Sequence, residues 1–533
     1  MFNKKFQRRH FIQSAALFSA SLAASVASPI RTRASDDYID ALVIGSGFGG
    51  AIAALRLGQA GVNTLILERG KRWPITASQN TFATFNNPDG RASWLNSTSV
   101  FGDTVDIYTG VFETLQEKGI IVVNGAGVGG GSLVYNAITY KPKREIFYKV
   151  FDRTTVDYDE LDSVYYPRVQ QMLKSSPIPQ DVLATTYYGK TRFFLENADK
   201  ADLPSFLLNL AVNWNTVRQE INGSKVPSVI DGQCWWGVNS GAKNSLDQNY
   251  LPQAENTGHV NLLPLHVVTD IAEIRGEKKY RVFCNEINES GQIIRKKTFT
   301  CRYLFLAAGS VGTSKLLVKA REKGTLPYLN NSVGKDWGTN GDNITIRSDL
   351  GAVTGNGGTA GAVIEQLDGP TPIVVESLEL GNNANGIQSC LGLGIPRPGG
   401  KFKYDPSTDT VNLNWPTSVD DRIVKKTEKL FSTLDNSINN FGRRPRHKIK
   451  EGMVPTSPIA TSQNNDAAIT GHPLGGVPIG KACDPFGRVY GYNRLYVVDG
   501  SLIPGSAACT NPSFTIAALA ERCLDKIIAQ DIK

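Results

Sequence analysis

Gly45, Gly47 and Gly50 stand in the spacing G-x-G-x-x-G, and Glu68 follows 23 residues after the first of them. Glycines so spaced allow a tight turn, let the backbone approach a pyrophosphate and let a helix pack closely on a strand. A carboxylate at that distance accepts hydrogen bonds from a ribose diol. An acid there, in place of an arginine, argues against a 2′-phosphate and does not separate FAD from NAD. A second run, Asn124 to Asn136, holds five glycines between Gly125 and Gly131. It reads as backbone laid against something flat or charged, with its N–H groups turned toward it; the plainer alternative is a glycine-rich turn. Of five histidines, His10 is near the start, His259 and His266 flank a strand pattern, and His447 lies in a basic stretch. His472, in Gly471-His-Pro-Leu-Gly-Gly476, is the one set among glycines, and imidazole exchanges a proton near neutrality.

The elements that must carry these residues are legible. Ala41 to Ile44 is a short apolar run suited to a buried parallel strand. Ala51 to Ala60 follows with apolar residues at helical spacing, Gly61 stops it, and Thr64 to Leu67 is a second buried strand. A free helix N-terminus supplies N–H donors and a positive dipole end for phosphates. Phe82 to Gly110 reads as a long irregular excursion, and Pro142 to Phe151 opens a helical region that runs with loops to about Ser240. An antiparallel stretch is expected from Val260, through Tyr280 to Phe283 and Lys296 to Cys301, and a separate buried strand at Tyr303 runs into a helix near Gly312. Ile373 to Leu378, Gly386 to Leu393 and Thr410 to Trp415 read as a substrate-facing sheet, Asp420 to Phe441 as a helix, and Thr510 to Glu521 as a turn feeding a last helix. Asn511-Pro512 fits a helix cap with proline in the first turn.

A chain of 533 residues exceeds one ordinary core, so at least two domains are expected. The net charge is +8, but Lys4, Lys5, Arg8, Arg9, Arg31 and Arg33 contribute six of it with no acid among residues 1–34, leaving +2 elsewhere. Charge therefore makes no case for nucleic acid. Residues 1–34 read as an export signal, a basic start before the uncharged run Phe11 to Ile30; a retained membrane anchor is the alternative. Arg8-Arg9-His-Phe-Ile resembles the twin-arginine type, placing the protein in the periplasm or outside a bacterial cell. No later segment reaches the ~18 apolar residues of a membrane helix. Seven scattered cysteines, an odd number, read as buried thiols that ligate no metal, with one or two disulfides open after export.

Taken together these motifs resemble the glucose-methanol-choline family of flavin oxidoreductases, from about Asp40 to the C-terminus. The resemblance implies an α/β fold, with a Rossmann-like FAD-binding domain (35–150, 241–320 and 461–533) and a substrate domain on an antiparallel sheet with helices (151–240 and 321–460). It implies FAD as cofactor, held by Gly45, Gly47, Phe48, Gly49, Gly50 and Glu68. Gly127, Gly129, Gly130, Ser132 and Asn136 belong to the flavin-contacting loop, and Val268 reaches the adenine by its backbone. Asp499, Gly500, Asn511 and Pro512 fall in the C-terminal signatures.

Within the family the likeness is nearest to bacterial sterol oxidases with non-covalent FAD. It implies His472 and Asn511 at the reacting alcohol, with Glu376 as the base that moves a double bond and Glu379 as a near competitor. Tyr135 stands where an asparagine is common, and Ser513 where an aromatic residue is usual. The implied reaction oxidises a 3β-hydroxysteroid such as cholesterol to the 3-ketosteroid, reduces dioxygen to hydrogen peroxide and shifts the double bond from Δ5 to Δ4. Transient contact with a membrane surface would serve sterol extraction. The rivals are an oxidase or dehydrogenase for another alcohol or acceptor, and a flavin-bearing binding protein without turnover.

Overall fold

The computed structural model describes residues 38–351, 358–379, 385–416, 420–438, 446–451 and 468–532. The expected leader lies outside them. Tyr38–Ile44 pairs in parallel with Thr64–Leu67 on one side and with the end of Ile293–Leu306 on the other. The helix Phe48–Gln59 connects the first two strands, its apolar face buried throughout. Each fully buried aliphatic side chain there contributes about 1.5–3 kcal/mol.

In this first sheet two expectations are corrected. Lys296 to Cys301 and the run from Tyr303 are one 14-residue strand, Ile293–Leu306. Its first part closes an antiparallel meander with Lys279–Ile287 and His266–Ile274, and its last part is central in the parallel sheet. Val260–Leu263 does not join the meander; it runs parallel to Thr64–Leu67 as an edge strand. With one covered face it alternates like an antiparallel strand, and Pro264 with left-handed Leu265 (φ 60°) separates it from His266.

The second sheet is antiparallel, in the order Arg446–Glu451, Asn343–Ser348, Gln388–Gly394, Ile373–Leu378, Ala362–Gln366, Ser205–Leu207. The last strand comes from the region read as helices and loops. Thr410–Asn414, expected in this sheet, forms a separate hairpin with Lys401–Asp405. One face of the sheet (Val363, Val374, Leu378, Leu391) joins the main core. The other (Ala362, Ile364, Ile373, Val375) packs on Ile423, Leu430, Phe431 and Leu434 of the helix Asp421–Asn436. Residues 439–441 of that expected helix lie outside the described residues.

Two parallel pairings position the site. Ala468–Thr470 runs beside Ile120–Gly125, so the glycine loop and His472 emerge at the same end. Leu495–Val497 runs beside Leu304–Leu306, so Ala307–Gly309 and Asp499–Gly500 emerge together.

Candidate active site

A cavity of about 550 Å³ runs from Glu68 to His472 and Asn511. Gly45, Gly47, Phe48, Gly49, Gly130, Asn136 and Val268 line it, as do Asp499, Gly500 and Pro512. Gly50, Gly127, Gly129 and Ser132 do not line it, and Glu376 adjoins it through its hydrogen bond from the lining residue Asn511.

The glycines divide by what surrounds them. A Cβ on Gly50 would lie 2.0 Å from the Gly45 carbonyl oxygen, so Gly50 serves close packing. A Cβ on Gly47 would meet no protein atom within 4 Å, although the residue lines the cavity. Gly47 is also the N-cap of the helix Phe48–Gln59 and offers no side-chain cap, leaving N–H donors for an anion. Glu68, 5% exposed, accepts from Ser46 N (3.0 Å), Ser46 Oγ (2.7 Å) and Gly70 N (2.8 Å). Three of about four lone-pair sites are thereby used, which leaves one for a ribose hydroxyl. Ser46 Oγ also accepts from Gly129 N at 3.1 Å, tying the two glycine loops together.

Ser132 Oγ donates to Gly129 O at 2.8 Å and accepts from Leu246 N at 3.0 Å, so its hydroxyl shapes the loop. Lys243, which sequence reasoning passed over, holds the loop from behind. Its Nζ donates to the carbonyls of Leu133 (2.6 Å), Cys234 (2.6 Å) and Tyr135 (3.2 Å). Burial pulls its pKa down to about 8. The Asp499 carboxylate accepts from Gly309 N, Thr313 Oγ1, Ser501 N and Ser501 Oγ, joining two cavity-lining turns.

At the far end His472 Nδ1 lies 2.8 Å from Asp342 Oδ1. Asp342 also accepts from Thr470 Oγ1 (2.8 Å) and Gly471 N (3.2 Å), which fixes the imidazole and leaves Nε2 as its free nitrogen. Burial alone would lower the His472 pKa; the Asp342 carboxylate, by charge and hydrogen bond, and Glu376 nearby raise it above the ordinary value. Asp342 lies 130 residues from His472, and nothing around it in the sequence marks the pair.

Asn511 caps nothing with its side chain, although it occupies the N-cap of the helix Pro512–Ile527. Its Nδ2 donates to Glu376 Oε2 at 3.2 Å. The turn before it holds Ala508 (φ 59°) and Cys509 (φ 65°) in the left-handed region, a cost of about 1–3 kcal/mol each. Cys509 Sγ to Pro372 O (3.3 Å) and Asn340 Nδ2 to Thr510 O (2.9 Å) tether this turn to the Glu376 strand and the Asp342 loop.

Glu376 is 1% exposed, so it is no outward-facing strand residue. Burial pushes its pKa up to about 7, against the Asn511 hydrogen bond and the pull of His472. Glu379 is buried as well and pushed up to about 8, but the charge it faces is Lys190 at 3.9 Å. Glu376, not Glu379, meets Asn511. All seven cysteines are buried thiols, as read from the sequence, and none of the one or two disulfides left open is formed.

Family models described as GMC oxidoreductase match residues 40–321 and 396–520. The chain belongs to the GMC oxidoreductase family. This GMC oxidoreductase is 29% identical to a cholesterol oxidase of Mycobacterium tuberculosis, over 91% of the chain and 90% of that protein. It is 24% identical to a cholesterol oxidase of Acinetobacter baumannii, over 93% and 95%. Its fold is similar to that of an Aspergillus oryzae formate oxidase solved to study FAD modification (TM-score 0.63, 14% identity, 94% of this chain and 100% of that one). FAD is its cofactor. The open space at Gly47, the uncapped helix start and the remaining acceptor on Glu68 fit the ADP half. The unpartnered buried atoms Tyr135 Oη, Trp235 Nε1 and Asn511 Oδ1 belong to residues lining the cavity.

Proposed function

We propose that this GMC oxidoreductase oxidises the 3β-hydroxyl of a sterol such as cholesterol and moves the double bond from Δ5 to Δ4. The observation that carries the reading is Glu376 held 3.2 Å from Asn511, beside a His472–Asp342 pair, where a cavity ends. Cholesterol oxidases among the relatives support the substrate class. FAD, when bound, accepts the hydride from the alcohol carbon and passes the electron pair to dioxygen, giving hydrogen peroxide.

The protein orients the alcohol and manages protons. His472 Nε2 accepts the hydroxyl proton as the C3–O bond becomes a carbonyl. Asp342 stabilises the imidazolium so formed. The second N–H of Asn511 Nδ2 donates to the substrate oxygen. Glu376, ionised, then takes the proton at C4 of the 5-en-3-one and delivers a proton to C6, giving the 4-en-3-one and restoring the carboxylate.

Peroxide assays with cholesterol, choline and small primary alcohols test the substrate class; turnover of another alcohol and of no sterol would sink it.

Asp342→Asn gives a sharper readout. The raised pKa of His472 leaves the imidazole neutral, and able to accept a proton, only above that value. Removing the charge lowers the pKa, so the acidic limb of the flavin-reduction profile is expected to move to lower pH. Loss of imidazolium stabilisation slows the plateau by about 10²-fold. Stopped-flow reduction across pH measures both, and an unmoved limb contradicts the pairing.

A further inference from the structure

A second cavity, of about 490 Å³, lies against the first. The partition between them is thin. Ile138 and Ser513 line the first cavity, Tyr140 and Phe514 line the second, and Ser513 Oγ donates to Ile138 O at 3.1 Å across the two segments.

The antiparallel sheet reaches both sides. Val363 pairs with Glu376 and Glu365 with Val374, so Glu376 and Glu365 share one face of adjacent strands as diagonal neighbours, within reach of long side chains. Glu365 lines the second cavity and accepts a hydrogen bond from the Tyr140 hydroxyl. Lys143, half exposed at the same cavity, lies 3.4 Å from the other Glu365 oxygen. Burial raises the Tyr140 pKa far above the phenol value, with Glu365 and then Glu376 adding to the rise, which sets Tyr140 electrically between the two acids. Glu376 Oε1 is buried without a hydrogen-bond partner, an acceptor that one enclosed solvent molecule between it and Tyr140 would satisfy.

We propose that Tyr140 and Glu365 form a proton path joining Glu376 to the solvent of the second cavity. The inference rests on the isomerase reading above. A sterol filling the first cavity covers Glu376 on that side, and the path keeps the base in exchange with water. The step balances. When Glu376 holds the proton taken from C4, that proton passes through solvent to the Tyr140 oxygen as the Tyr140 hydroxyl proton moves to Glu365, and Glu365 releases it to the second cavity. A solvent proton returns by the same groups and is delivered to C6. Tyr140 and Glu365 act through Glu376 and touch no substrate.

The test feeds the 5-en-3-one to FAD-loaded enzyme in D2O and reads deuterium at C6 of the 4-en-3-one at early times by mass spectrometry. Wild type is expected to incorporate solvent deuterium at C6. Tyr140→Phe and Glu365→Gln, each checked for bound FAD, are expected to isomerise with loss of most of that deuterium, because the C4 proton is then returned directly. Equal incorporation in all three proteins overturns the path and leaves the isomerase reading standing. No isomerisation by wild type overturns the reading and the path with it.

Discussion

Replacing His472 with Gln is expected to slow flavin reduction by a sterol about 10²–10⁴-fold, with FAD still bound. The imidazole does two things that an amide cannot do together. Its Nδ1 is bonded to Asp342 at 2.8 Å, and its Nε2 is left to take a proton. A glutamine can accept a hydrogen bond from the alcohol but does not become a cation at neutral pH, so the positive charge that Asp342 is placed to stabilise never forms. Nothing in the cofactor cradle changes, because His472 stands at the end of the cavity away from Glu68. Anaerobic stopped-flow mixing separates the effects: the reduction rate should fall while FAD content stays. A variant reduced at the wild-type rate would remove His472 from proton transfer.

The second large effect is expected from Glu376→Gln. Oxidation should continue and isomerisation fall by about 10²–10⁴-fold, so that the 5-en-3-one accumulates. In the proposed mechanism the base works only when ionised, and burial pushes the Glu376 pKa up to about 7. Isomerisation should therefore rise with pH through that region, and the rise should be absent from the residue of activity in the variant. Stability supplies an independent sign. A carboxyl group whose folded pKa is raised binds its proton more tightly in the folded state, so the fold loses stability as pH climbs from about 4.5 and levels off above about 7. Glu376→Gln removes that loss. It should match wild type near pH 4 and exceed it at pH 8 by on the order of 3 kcal/mol. Chemical denaturation at the two pH values reads this directly. Unchanged formation of the 4-en-3-one would assign the base elsewhere.

What could be read from the chain followed the range of the contacts. Gly45, Gly47, Gly50 and Glu68 sit within one strand–helix–strand unit, where spacing alone dictates geometry. Ile373–Leu378 was equally plain, because a buried β-branched run needs no partner to be recognised. Val260–Leu263 was given the wrong neighbour within the right sheet, because strand pattern encodes which faces are covered, not which neighbour pairs. The alcohol end depends on contacts across 130 and 135 residues, His472 to Asp342 and Asn511 to Glu376. Asn511 and Glu376 were reached through family likeness, and His472 through that likeness and its setting among glycines. Asp342 was missed, since an aspartate in Thr-Asn-Gly-Asp-Asn looks like any loop acid until the antiparallel pairing of Lys335–Gly338 with Leu474–Gly476 brings His472 to it. Lys243 was missed for a related reason: its three acceptors are backbone carbonyls, which leave no trace in side-chain pattern.

Mixing the purified, FAD-loaded protein with cholesterol in the absence of oxygen tests the account most directly. The yellow flavin absorbance should bleach, the 3-ketosteroid should appear, and admitting air should restore the colour with formation of peroxide. Folded protein that takes up no FAD, or a yellow protein that keeps its colour under excess sterol, would contradict it.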